Sequence, residues 1–156
     1  MKVKIRRANK NDLNKIYFLG INIKEFIVSK RRKFYEKNEL KEWVKKSQDN
    51  IFLIVEYDKQ IIGFLYAKLI SNYWCMLDNI GIIDEFRSKG IGSMLLKKLY
   101  QILDKKRVCY LQALVGIEYK KTRKFWKKKG FKEGKKFIWV DKNLENDKTN
   151  KKIKNP

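Results

Sequence analysis

Residues 79–96 read NIGIIDEFRSKGIGSMLL. An apolar run ends at Ile83, two glycines follow at 90 and 92, and a helical pattern opens directly behind them. In that helix Leu95, Leu99, Ile102 and Leu103 share one face, and Lys97, Lys98, Gln101 and Asp104 share the other. A strand, a glycine turn and a helix N-terminus in this order make a phosphate cradle. Glycine lets the backbone approach a ligand and present its N–H groups. The helix start adds partial positive charge, and Arg87 and Lys89 add full charges. Leu95 stands where a dinucleotide fingerprint needs its third glycine, and no Gly-Lys-Ser/Thr is present for a Walker loop. The segment reads equally as a tight strand-to-helix turn with no ligand.

Outward from this stretch, the hydrophobic periods alternate between two and 3.6. VKIRRA (3–8) reads as a strand, and Asn9 with Asp12 forms a capping-box variant before a helix running to about residue 28. A second helix is predicted over 39–47. IFLIVEY and IIGFLYAKLI are strands joined by a DKQ hairpin turn, and WCMLDNIGII is a fourth strand. VCYLQALV is a fifth strand. Residues 119–129 form a short helix with Thr122, Phe125 and Trp126 inward and Gly130 as its C-terminal cap. KFIWVDKNL (136–144) is predicted as the last strand. The pattern is α/β: one domain over 1–144 with a mixed, mostly antiparallel central sheet flanked by helices, and a polar, flexible tail over 145–156.

The chain has 156 residues, 44% of them hydrophobic, which is enough for one packed core. Its 39 Lys+Arg against 17 Asp+Glu give a formal charge of +22, a field that attracts polyanions. Lysine is spread along the whole chain, so the charge also reads as general usage. Histidine is absent, which excludes a Ser-His-Asp triad, a Cys-His pair and a His metal site. Cys75 and Cys109 make no disulfide framework or zinc spacing, and no metal is expected. No apolar run approaches the ~20 residues of a membrane span. The N-terminus has no signal-peptide pattern, so a cytoplasmic location is the expectation.

Taken together, IRRANKNDLNKI, FLIVEYDKQIIGFLYA, NIGIIDEFRSKGIGSMLL and RKFWKKKGF resemble the GNAT superfamily of acyl-CoA-dependent N-acetyltransferases. They stand in the family's order across about residues 3–144. The third resembles the signature R/Q-x-x-G-x-G/A segment. That resemblance implies the pyrophosphate of acetyl-CoA on the backbone of Arg87, Ser88, Lys89, Gly90, Ile91 and Gly92. It further implies the pantetheine arm along Ile80, Gly81 and Ile82, and the thioester between the fourth and fifth strands. Trp126 lies by the same cofactor, at the position of the family's usual acidic tyrosine. The implied activity is acetyl transfer from acetyl-CoA to a primary amine, directly and within a ternary complex. A homodimer is among the assemblies this resemblance allows.

Direct transfer needs a base for the amine, donors for the developing oxyanion, and tolerable departure of a thiolate. None of these requires histidine. Asp78 is the candidate base, an even number of residues before Ile80 and Ile82 and hence expected on their face of the sheet. Glu25, Glu36 and Glu39 are further candidates. Indole is not a useful acid near neutral pH, so Tyr119 is the candidate acid. It lies seven residues before Trp126, on one helix face and about 10 Å away along the axis. Two other readings stay open: a non-catalytic acyl-CoA-binding module, and a basic nucleic-acid-associated protein based on YKKTRKFWKKKGFKEGKK. The global charge opposes polycationic acceptors unless the acceptor pocket is locally acidic.

Overall fold

The computed structural model of the chain describes residues 1–27, 29–30, 32–45, 47–142 and 144. Its elements are β1 (Lys4–Arg7), α1 (Leu13–Asn22), α2 (Lys37–Val44), β2 (Asn50–Tyr57), β3 (Gln60–Leu69), β4 (Trp74–Ile82), α3 (Ile91–Lys105), β5 (Tyr110–Ala113) and α4 (Lys120–Lys128). The five strands form one sheet in chain order. The first three pairings are antiparallel, and β4–β5 is parallel, with α3 as the crossover.

Alternation along β2 builds both faces of the core. Ile51, Leu53 and Val55 pack with Leu95, Leu96, Leu99 and Leu103 of α3 and with Trp126 of α4. Phe52 and Ile54 pack on the other face with Leu13, Ile16 and Leu19 of α1 and with Leu40 and Trp43 of α2. This second face is rich in rings: Trp43 stacks on Tyr66 with centroids 3.7 Å apart and planes 3° from parallel. The β2–β3 hairpin turns at Asp58 and Lys59, both at positive φ (46° and 59°), as a twist-matched two-residue turn requires.

At the N-terminal edge the capping box forms as expected. Asn9 accepts from the Asn11 amide at 2.9 Å, and Asp12 Oδ2 accepts from the Asn9 amide at 2.8 Å. Arg6 grips the same carboxylate bidentately at 2.7 and 2.8 Å and also reaches Glu56. Burial would raise the Asp12 pKa, but the hydrogen bonds from Arg6 and Asn9 hold the carboxyl below its ordinary value.

Four expectations are corrected. The first helix stops at Asn22 instead of continuing to about 28, because a 3-10 turn over Lys24–Phe26 carries Phe26 into the aromatic core against Phe34 and Phe64, at 5.7 and 5.5 Å. The second helix is Lys37–Val44, placed by a Glu36–Glu39 capping box. The fifth strand is reduced to Tyr110–Ala113. Residues 136–142 form no strand, and Phe137, Ile138 and Val140 are exposed. The expected tail over 145–156 lies outside the described residues.

Candidate active site

The sheet opens where β4 meets β5. Their pairing runs from Trp74 opposite Tyr110 to Leu77 opposite Ala113 and then stops. One residue further, the register of β4 against β3 slips: Tyr66 faces Asn79 and Ala67 faces Leu77, leaving Asp78 as the extra residue of a bulge. The bulge reverses the strand's alternation. Cys75 and Leu77 belong to the α3/α4 face before it, and Ile80 and Ile82 belong to that face after it. Asp78 instead points to the α1/α2 side, so the expectation that it shares a face with Ile80 and Ile82 is overturned. A Cβ on Gly81 would strike Ile23 and Phe26, which places Gly81 on the α1/α2 side too.

Beyond the bulge lies a narrow cavity of about 70 Å³ whose polar lining is Glu25, Asp78, Asn79, Tyr119 and Thr122. Tyr35 Oη donates to Asp78 Oδ2 at 2.8 Å. Asp78 keeps exposed surface at the mouth, yet desolvation of its carboxyl outweighs the Tyr35 hydrogen bond and the nearby Arg32 charge, and the pKa rises above the ordinary aspartate value. Arg32 lies over the Tyr35 ring at 5.0 Å and is paired with Glu39 at 2.8 Å. Glu36 and Glu39 are thereby occupied in capping α2, and neither lines the cavity. Asn79 is 7% exposed, and among the described residues its Oδ1 has no hydrogen-bond partner. Sequence reasoning passed over Asn79; its signal was a second polar residue beside Asp78 in an apolar strand.

The glycine turn lies immediately beyond β4. Ser88 and Gly90 both have positive φ, 61° and 80°, and a Cβ on Gly90 would meet nothing within 4 Å. α3 starts without a side-chain cap, so the first-turn amides of Ile91, Gly92 and Ser93 lack intrahelical acceptors. Gly92 faces Phe125, which lies 3.4 Å from where its Cβ would be. Lys89 Nζ sits over Phe86 at 5.1 Å. Arg87 is tied back on itself: Nε donates to the Ile82 carbonyl at 3.0 Å, and Nη1 meets Glu25 Oε1 at 2.8 Å.

Tyr119 precedes α4 as its N-cap and donates to the Lys24 carbonyl at 3.0 Å, closing one side of the cavity. Desolvation, then Glu118 and Glu25, raises its pKa. Trp126 is buried, edge-on to Phe125 and Phe131. Burial pushes the Cys75 thiol up to about 11, while Cys109 is exposed. Among the described residues, no group of three or more Cys, Asp or Glu could hold a metal ion. Among those residues, no helix is long and apolar enough to cross a membrane.

Comparison with known proteins agrees with this fold. A spermidine N(1)-acetyltransferase of Thermoplasma acidophilum is 29% identical over 145 residues, covering 85% of this chain and 89% of that protein. The crystal structure of PaiA N-acetyltransferase from Thermoplasma acidophilum in complex with coenzyme A superposes with a TM-score of 0.78 at 25% identity, over 88% of this chain and 95% of that one. Ard1 from Thermoplasma volcanium shares the fold, with a TM-score of 0.75 at 16% identity over 86% of each chain. The model of the acetyltransferase (GNAT) family matches residues 15–131, and the chain belongs to that family.

Proposed function

We propose that this chain transfers an acetyl group from acetyl-CoA to a primary amine in a ternary complex, with both substrates meeting at the opening between β4 and β5. The observation that carries the reading is that opening itself. It combines a carboxylate with a raised pKa on a bulge, an unpaired strand edge, and an uncapped helix start at one end of the sheet.

The residues present fit acetyl-CoA. Gly90 leaves open space above the turn, and the amides of Ile91, Gly92 and Ser93 are free to take phosphate oxygens. Beyond Leu77 the β4 edge toward β5 is unpaired, so Ile80 and Ile82, flanking Gly81, offer backbone groups to the amides of a pantetheine arm, with the Ile82 carbonyl already shared with Arg87 Nε, and the unsatisfied Asn79 side chain awaits a donor at the same level. When bound, the thioester supplies an activated carbonyl. The amine nitrogen attacks that carbon, the C–N bond forms, the C–S bond breaks, and the proton leaves the nitrogen for Asp78, directly or through water. Tyr35 occupies Asp78 Oδ2, which leaves Oδ1 as the accepting atom. A pKa raised by desolvation strengthens Asp78 as a base. Tyr119 is the phenol in the same cavity, and to protonate the departing thiolate it exchanges the Lys24 carbonyl for sulfur.

The acceptor is opposed by the global charge and favoured by the local one. Glu25 and Asp78 line the cavity of a chain carrying +22 overall. That local acidity, with the relative named as a spermidine acetyltransferase, supports a polyamine-type primary amine. The test is CoA release with acetyl-CoA against spermidine, neutral amines and N-terminal peptides at low and moderate salt. Turnover of spermidine that rises with salt supports the reading, because screening weakens the repelling field. No turnover with any amine favours a non-catalytic CoA-binding role, to which the buried Trp126 and the engaged Tyr119 hydroxyl also point.

A further inference from the structure

Arg87 ties the two sides of the site together. Both nitrogens of its fork meet Glu25, Nη1 to Oε1 at 2.8 Å and Nη2 to Oε2 at 3.4 Å. Its Nε donates to the Ile82 carbonyl at 3.0 Å and lies 2.9 Å from a carboxylate oxygen of Asp84, a side chain 85% exposed. Glu25 stands on the turn that follows α1 and lines the cavity with Asp78. Arg87 opens the glycine turn whose helix start offers free amides to phosphate. One ion pair thus joins the acceptor side to the cofactor side.

Both contacts of Arg87 stand on contested ground. The Ile82 carbonyl belongs to the β4 edge assigned above to the pantetheine arm, so Arg87 Nε and that arm draw on one acceptor. A pyrophosphate on the turn offers the guanidinium more negative charge than a single carboxylate does, with oxygens that match its fork. While Arg87 remains on Glu25, the charge of that carboxylate is cancelled. Among the described residues the only other carboxylate lining the cavity is Asp78, already bonded to Tyr35. A cationic acceptor approaching this +22 chain then finds little to hold it. Glu25 does not need Arg87 to stay in place. The adjacent Phe26 packs against Phe34 and Phe64, and Ile23 and Phe26 close over Gly81, so the backbone of the turn is fixed by the core.

We infer that Glu25 is the specificity-determining carboxylate for an acceptor with a second ammonium, and that Arg87 masks it until a pyrophosphate on the turn takes the guanidinium. This rests on the proposed transfer to a polyamine-type amine and gives each nitrogen a place: the reacting one at Asp78, the distal ammonium at Glu25. By linkage, cofactor and diamine strengthen each other's binding by one factor. A monoamine has no second charge and gains nothing from the release.

The test is calorimetric titration of the full chain with spermidine and with butylamine, in the presence and absence of saturating CoA, which carries no acetyl group to transfer. The pair is partly exposed and contributes little to folding, so Glu25→Gln and Arg87→Gln should stay folded, as circular dichroism checks. CoA should raise the spermidine affinity of the wild type by ~10-fold or more and leave that of butylamine nearly unchanged. Arg87→Gln should bind spermidine without CoA about as tightly as the loaded wild type does. Lys89→Gln removes the same charge from the turn without unmasking Glu25 and should not. Glu25→Gln should bind spermidine weakly in both states, yet bind CoA more tightly than the wild type, because its Arg87 is already released. That last titration needs no acceptor and reads the mask independently of the choice of amine. Equal CoA affinity in wild type and Glu25→Gln would overturn the mask. Coupling that survives Glu25→Gln while spermidine is still acetylated would overturn the role of Glu25 and leave the proposed function standing. Spermidine that neither binds nor reacts with the loaded wild type would overturn both.

Discussion

The two ends of the sheet treat their polar groups in opposite ways. At the β1 end, Arg6, Asp12, Glu56 and Asn9 satisfy one another, and the rings of Phe34, Trp43, Phe52 and Tyr66 interlock over the paired strands β2 and β3. At the β5 end, the pairing stops at Leu77, Asn79 Oδ1 has no partner, α3 begins uncapped, and the Asp78 carboxyl is held above its ordinary pKa. Unmet hydrogen-bonding capacity costs stability. Concentrated at one end, it coincides with the proposed substrate site. Changes at the β1 end should therefore cost folding and spare binding, and changes at the β5 end should do the reverse.

The largest separation is expected at Asp78. Asp78→Asn removes the proposed base and should lower kcat by ~10²–10⁴ at neutral pH with acetyl-CoA affinity nearly intact. Its melting temperature should not fall, because the neutral amide escapes the desolvation that penalises the carboxylate. Equal kcat in both proteins would move the base elsewhere.

The mirror experiment is Arg6→Ala. It leaves Asp12, 5% exposed, without its guanidinium and should cost about 2–4 kcal/mol of folding stability without changing kcat. The pH dependence has a definite sign. Asp12 has a lowered folded-state pKa, so its contribution is present above the ordinary carboxylate value and is lost as pH falls through the lower folded value. Acid titration of unfolding should show a wild-type advantage at neutral pH that shrinks in that acidic window. An advantage independent of pH would assign the effect to packing.

Smaller effects sharpen the β5 end. Tyr119→Phe should lower kcat with little change in amine KM if the phenol protonates the thiolate. A kcat matching the wild type would mean that the thiolate leaves unassisted. Tyr35→Phe removes the hydrogen bond that holds Asp78 down, so the acid limb of kcat/KM should move to higher pH. An unmoved limb would separate Asp78 from the observed ionisation.

Much of this contrast was readable from local sequence. The Gly90/Gly92 turn, the Asn9–Asp12 box, the Asp58–Lys59 hairpin and the amphipathic α3 depend on residues within a few positions of one another. The bulge at Asp78 was not readable, because a slip in register exists only relative to Ala67 and Tyr66 on a partner strand. The same holds for Tyr35 on Asp78 and Glu25 on Arg87, 43 and 62 residues apart in the chain. The helix expected to reach about residue 28 failed because Phe26 gains more from Phe34 and Phe64 than from helical continuation. In 136–140 the local preference for strand was legible, but a strand also needs a neighbour, and local pattern does not say which one.

The central claim is that acetyl-CoA sits on the turn before α3. Calorimetric titration of acetyl-CoA into wild type and Gly92→Trp tests it most directly, with circular dichroism confirming that the variant is folded. The account predicts saturable binding to the wild type and none to the variant, whose indole is directed toward Phe125, between the start of α3 and α4, and crowds the approach to the first-turn amides. Undiminished binding to folded Gly92→Trp would place the cofactor elsewhere and contradict the account.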